Sequence, residues 1–319
     1  MRQNRRTATL LAASALVVLG TAGLGRGREP DLAEMRHLPL QRSAHFEVAH
    51  TLEATTAADL SQLLEVLYAR YLEASRAAGF RPRVPAGPLP WLCLSDPLAF
   101  APYAGPREGG MPADDQSYYS ACTNTVALLC AAEGGAGQGT TGRSLVGFET
   151  WRISHEVAHQ MSFNTGLQTR GVLYPVWVSE GLATQFETHD PREGGFAGAN
   201  PARQRRLAAA FRQGRLRPLG EMVVLTDPPT DHEARLDVYA QSWGLVQFLS
   251  QREPRAFRRY LYTLAMRPSG RRPLAALQAE FAAAFGPDEQ LQAAWEVFLA
   301  TGCGTPAVTA QKDRDGSSG

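Results

Sequence analysis

Two periodicities divide the chain. Toward the front, His45-Phe46-Glu47-Val48-Ala49 alternates as a strand does, and Ala57 to Ala78 follows with Leu60, Leu63, Leu64, Leu67, Tyr68, Tyr71 and Leu72 at helical spacing. A proline-rich connection, Pro82 to Pro90, leads into Trp91-Leu92-Cys93-Leu94. Thr125 to Ala131 is a second short apolar run, and both runs read as strands. From Phe148 onward the pattern is helical, with Gly and Pro between segments, and predicts helices over 148–163, 177–189, 201–214, 235–252, 254–266, 273–285 and 288–300. No internal repeat interrupts this order. The expected fold is α+β: an N-terminal part over 43–145 with a mixed sheet and a helix, then a mainly helical part over 146–300, with a cleft between them.

The ends carry different signals. Arg2, Arg5 and Arg6 precede an uncharged apolar run from Thr7 to Gly25, with Gly20 and Ala22 spaced like a cleavage site, so 1–22 reads as an export signal. The run is also close to the length that spans a bilayer, which leaves cleavage and retention as an anchor both open. The paired arginines lack the hydrophobic pair of a twin-arginine signal, favouring ordinary secretion. Residues 23–42 mix Arg, Pro and Glu without period and read as a linker, and 301–319 reads as a disordered tail. The protein is therefore expected outside the cytoplasm: periplasmic, extracellular, or tethered facing outward.

Composition excludes more than it identifies. With 32 basic and 31 acidic residues the net charge is +1, so no global field points to nucleic acid. Cys93, Cys122, Cys130 and Cys303 fit an exported protein. Three pairings are possible; Cys122 with Cys130 is the most local, and four buried thiols are the alternative. None lies in a C-x-x-C, which argues against a cysteine zinc site.

The chemistry concentrates in His155-Glu156-Val157-Ala158-His159. On a helix, residues i and i+4 share a face, so both imidazoles reach one ion with Glu156 beside them, while Ile153, Val157 and Met161 turn to a core. Catalytic zinc takes three protein ligands and keeps a position for water, whose proton a nearby carboxylate can accept. Glu180, twenty residues past His159, stands in Trp177-Val178-Ser179-Glu180-Gly181-Leu182-Ala183-Thr184-Gln185-Phe186-Glu187 and shares a predicted helical face with Thr184 and Glu187. The small Gly181 and Ala183 permit close helix packing. A helix-start carboxylate in solvent is the competing account of Glu180.

His-Glu-x-x-His followed by Trp-x-x-Glu-Gly-x-Ala-x-x-Phe-Glu resembles the gluzincin zinc peptidases. His155 to Leu167 with Trp177 to Glu187 is similar, more closely, to a little-characterised bacterial branch of the peptidase-MA-like superfamily. The resemblance implies a zincin-like fold and Zn2+ held by His155, His159 and Glu180. It also implies Glu156 as general base and a peptide or protein as substrate. The other large zincin group requires Gly at 162 and His at 165, where this chain has Ser162 and Thr165. His189 is a weaker candidate third ligand. In related gluzincins a tyrosine from the later helix hydrogen-bonds the oxyanion, which makes Tyr239 the candidate, although Leu236, Tyr239, Trp243 and Val246 also form a packing stripe. Tyr174 and His232 are alternatives. Glu187 is placed to orient a ligand histidine through its second nitrogen, or to lie in solvent.

Gly137-Gln138-Gly139-Thr140-Thr141-Gly142 matches the spacing of a dinucleotide-binding turn. The acid at the ribose-binding distance is Glu156, mid-helix between two histidines, so the segment reads as a loop beside the cleft and no organic cofactor is expected. Ser117 to Val126 is a possible sheet edge for an extended peptide. Two other functions fit the same residues: an exported binding scaffold that cleaves nothing, and a zinc hydrolase of non-peptide amides or esters.

Overall fold

A computed structural model describes residues 35–103, 116–130, 150–196 and 198–301. The N-terminal apolar run, the Gly137–Gly142 segment, Cys303 and the C-terminal tail lie outside the described residues. No helix among the described residues is long and apolar enough to cross a membrane.

The architecture is α+β, as the patterning predicts. Five strands form one mixed sheet in the order β1-β2-β3-β5-β4: β1 (Leu40–Arg42), β2 (Phe46–His50), β3 (Leu89–Leu94), β4 (Ser117–Ser120) and β5 (Thr125–Leu129). The outer pairs are antiparallel, and β2–β3 and β3–β5 are parallel, with Val48 opposite Trp91 and Trp91 opposite Val126. Parallel strands need a crossover, and helix α1 (Ala54–Ala77) supplies it between β2 and β3.

Strand side chains alternate between two cores. Phe46, Val48, Trp91, Cys93, Val126 and Leu128 join the main core with the helices, while Ala49, Leu92, Leu94, Ala127 and Leu129 pack with Met35 and Phe100 on the other face. Both faces are covered, which is why β3 and β5 appear in the sequence as unbroken apolar runs.

The helical part contains α2 (Thr150–Thr165), α3 (Val176–Ala183), α4 (Pro201–Arg212), α5 (His232–Arg252), α6 (Pro254–Ala265), α7 (Leu274–Phe285) and α8 (Asp288–Ala300). Helix α2 runs two residues past its predicted end and stops before Gly166, whose φ of 90° is a left-handed conformation that favours glycine.

Three expectations are corrected. The predicted linker 23–42 ends in β1, a strand too short and too exposed to show a period. The helix predicted over 177–189 stops at Ala183, because side chains take its last carbonyls. Gln185 Nε2 donates to Gly181 O at 2.9 Å, and Asn200 Nδ2 donates to Thr184 O at 3.2 Å. Glu187 thus reaches the site from beyond the helix rather than from a shared helical face. Finally, no disulfide joins Cys93, Cys122 and Cys130, and Cys122 is exposed. Cys122 and Cys130 flank opposite ends of the five-residue β5. At about 3.3 Å per strand residue they lie more than about 16 Å apart, beyond the ~7 Å that a disulfide can bridge.

A polar clamp fixes α2 on the sheet. Gln160 Oε1 accepts from Trp91 Nε1 at 2.7 Å, and its Nε2 donates to Pro90 O at 3.1 Å and Asn124 O at 2.8 Å. Tyr71 of α1 shares a hydrogen bond of 2.9 Å with Ser162. With Ile153, Val157 and Met161 in the core, these contacts set the helix's rotation and turn His155 and His159 toward α3.

Candidate metal centre

Helix α2 supplies His155, Glu156 and His159, and α3 supplies Glu180. The chain can bring α3 this close to its neighbours because of Gly181: a Cβ there would lie 2.7 Å from Ser242 O and 2.8 Å from Val246 Cγ2, both on α5. The small residue therefore serves the α3–α5 contact.

His155, His159 and Glu180 form a buried group able to hold a metal ion. Nε2 of His155 lies 3.0 Å from Nε2 of His159, and Oε2 of Glu180 lies 3.4 Å and 3.6 Å from the two nitrogens. A tetrahedral ion with ligand bonds of about 2.0–2.1 Å separates its ligand atoms by about 3.3 Å, so the triangle has the size such an ion requires. Glu180 Oε2 is buried without a hydrogen-bond partner, an unmet demand that a cation would satisfy. The donor set, two imidazoles and a carboxylate, suits zinc as well as several other divalent metals.

The two histidines are supported unequally. His155 Nδ1 lies 2.9 Å from Glu187 Oε1, the contact proposed for Glu187 from sequence. Glu187 is gripped in turn by Arg203, with Nε to Oε2 at 2.7 Å and Nη2 to Oε1 at 2.6 Å, and by Asn200 Nδ2 at 3.1 Å. Burial works against the Glu187 carboxylate, but the Arg203 charge and hydrogen bonds, with His155, outweigh it and hold its pKa at about 2. An ionised Glu187 only accepts, so His155 carries its proton on Nδ1 and leaves Nε2 to face the ion. His159 Nδ1 is buried with no such partner.

Glu156 is fully buried, and its two oxygens differ. Ser117 Oγ, from β4, donates to Oε1 at 2.8 Å, whereas Oε2 has no hydrogen-bond partner. Burial pushes the carboxyl up to about 7, against the pull of His155 and Ser117. One oxygen is anchored and the other is free at a proton affinity suited to neutral pH.

In the metal-free cradle, burial disfavours a charged His155, yet Glu180 and Glu187 outweigh it and raise the pKa to about 10. His159 is lowered, mainly by burial, and Glu180 is lowered because the two histidines overcome its desolvation. The cradle is thus built for positive charge, which a proton on His155 supplies when no metal does.

The remaining candidates separate clearly. Tyr239 of α5 is buried, with the Arg203 guanidinium carbon 5.7 Å from its ring centroid, placing it against the group that holds Glu187. The Tyr174 hydroxyl accepts from Thr169 N at 2.7 Å and ties a loop. His232 starts α5 with Nδ1 3.5 Å from Arg235 Nη2, and His189 is exposed beyond α3, outside the ligand group. Ser117, Asn200 and Arg203 escape sequence reasoning. Arg203 stands in Pro201-Ala202-Arg203-Gln204-Arg205-Arg206, where nothing but burial distinguishes it from its neighbours.

No curated protein matches the chain. A family model described as a protein of unknown function (DUF1570) matches residues 150–274, under half of the chain, and that stretch runs from the first residue of α2 to the first of α7, containing the three candidate ligands, Glu156, Glu187, Arg203 and Tyr239.

Proposed function

We propose that this protein is an exported zinc-dependent peptidase. The observation that carries the reading is the pairing of a tetrahedral-sized ligand triangle with a general-base carboxylate whose second oxygen is free. A structural metal site needs the first and has no use for the second.

His155, His159 and Glu180 hold the ion in this reading, with Glu187 and Arg203 fixing His155. When bound, zinc supplies Lewis-acid polarisation of a carbonyl and makes water acidic near neutral pH. Glu156 accepts the proton of the attacking water on Oε2, while Ser117 keeps Oε1 from rotating into that role. The same carboxyl then returns the proton to the departing amine. Tyr239 is the proposed donor to the oxyanion.

Choosing a peptide over another amide or an ester rests on β4. This strand ends the sheet order, and its Ser117 touches the base, so an extended chain paired along that edge carries its carbonyls past Glu156. All four β4 residues are buried, so pairing requires that edge to be uncovered. Action outside the cytoplasm rests on the N-terminal basic and apolar run.

The test is metal analysis of the purified protein followed by digestion of a peptide library with the wild type and Glu156→Gln. Zinc near one equivalent, with cleavage lost in the variant, is expected. Zinc without cleavage in either protein leaves a binding scaffold, and a protein without affinity for zinc refutes the site.

A further inference from the structure

A cavity of about 600 Å3 opens between the end of α1, the junction of α5 with α6, and the segment that joins α3 to α4. That volume is within the range that holds one small ligand. The cavity is separate from the metal centre. Phe196 of its wall meets Phe186 edge-on, with ring centroids 5.3 Å apart, and the residue after Phe186 is Glu187, which supports His155.

Its lining divides into an apolar floor and a basic rim. Ala74, Phe80, Phe196 and Phe257 are buried and supply the floor. The Phe80 centroid lies 5.1 Å from that of Phe196 and 6.4 Å from that of Phe257, so the rings make one continuous aromatic surface. Arg70 and Arg258 are half-buried above it. Arg258 donates Nη1 to Ala78 O at 3.1 Å, and among the described residues no carboxylate pairs with it. Arg70 donates Nε to Gly194 O at 2.6 Å and Nη1 to Glu73 at 3.0 Å, which leaves Nη2 beside Gly195, 3.4 Å from where a Cβ would stand. The surroundings share this sign: segments 70–78 and 250–259, which bound the cavity, carry six arginines against two glutamates in a chain of net charge +1. Glu193, which is exposed, is the acid of the lining.

We propose that this cavity binds a free medium-chain carboxylate. The alkyl chain lies on the surface made by Phe80, Phe196 and Phe257, and the carboxylate meets Arg258 with Arg70 beside it. A guanidinium suits that head, because its planar fork of donors matches two carboxylate oxygens. A concavity bounded on three sides takes one chain, which favours a free acid over the flat face of a bilayer. The inference goes beyond the hydrolase reading and does not depend on it.

Titration calorimetry on the full chain at pH 8 tests this, with decanoate and decanol as probes. Decanoate should bind roughly tenfold tighter or more, as a charge-assisted contact implies. From hexanoate to decanoate, affinity should rise about fourfold per methylene, the gain from burying each added group. Arg258→Gln should erase the preference for the acid. Arg258→Lys, keeping the charge, should retain part of it and covers the case in which the glutamine variant fails to fold. Ala78→Phe puts a ring into the cavity and should abolish binding of both probes, with thermal melting showing an intact fold; Ala77→Phe, also in the lining, replaces it where that variant does not fold.

A wild type that binds neither probe, or both equally, overturns the proposal. So does decanoate binding that survives in a folded Ala78→Phe variant, because the acid then sits elsewhere, as it would on a metal held by His155, His159 and Glu180.

Discussion

Glu187 should have two roles that can be pulled apart. It neutralises Arg203, a buried guanidinium, and it accepts the Nδ1 proton of His155. Glu187→Gln leaves Arg203 as a buried, uncompensated cation, which costs about 3–5 kcal/mol of stability. It also weakens the partner that orients His155, an effect worth about 10–100-fold in metal affinity. The double variant Glu187→Met with Arg203→Met removes both charges and keeps comparable bulk, so stability should return to within about 1 kcal/mol of wild type or exceed it. Zinc affinity should not return, because His155 still lacks its acceptor. Urea unfolding with a chelator present reads the first quantity, and competition against a chromophoric zinc chelator reads the second. Wild-type zinc affinity in the stable double variant would refute the claim that Glu187 orients a ligand.

Other outcomes follow from the same geometry. Zinc must displace a proton from His155, whose metal-free pKa is raised to about 10, so affinity should rise about tenfold per pH unit between pH 6 and 8; a flat profile in chelator competition contradicts it. In the metal-free protein that His155 proton contributes stability in full below pH 6.5, and the contribution is lost as pH rises through about 10. Glu156 shifts stability in the same direction at lower pH: its carboxyl rises from 4.5 to about 7 on folding, so metal-free stability should fall between those values by about 3 kcal/mol. Glu156→Gln should remove that fall, giving a gain at pH 8 that vanishes at pH 4, and equal pH dependence of the two proteins in urea unfolding would contradict it. Gly181→Ala should destabilise by about 1–3 kcal/mol by pushing α3 off Ser242 and Val246, and an unchanged melting temperature would show that the helices separate freely.

How much of this is legible in the sequence depends on the range of the interaction. Helix α1 and the helices from α4 to α8 are periodic over several turns, so their positions follow from pattern to within a few residues. The end of α3 does not, because it is set by side chains from Gln185 and from Asn200, which lies beyond a loop. Strand β1 escapes for a different reason: three residues, two of them exposed, carry no period, and only pairing with β2 makes them a strand.

The site divides the same way. His155, Glu156 and His159 lie within one helical turn, and a spacing of four residues is enough to put two imidazoles and a carboxylate on one face. Glu180 is readable as a candidate, but its arrival 3.4 Å and 3.6 Å from the histidines depends on α3 packing against both α2 and α5. Only the tertiary structure selects Arg203 from an arginine-rich helix and gives Glu156 two unlike oxygens. The physical reason is that local spacing is encoded by backbone geometry, whereas burial, which decides whether a charge is a solvated ornament or half of an ion pair, is a property of the whole packed chain.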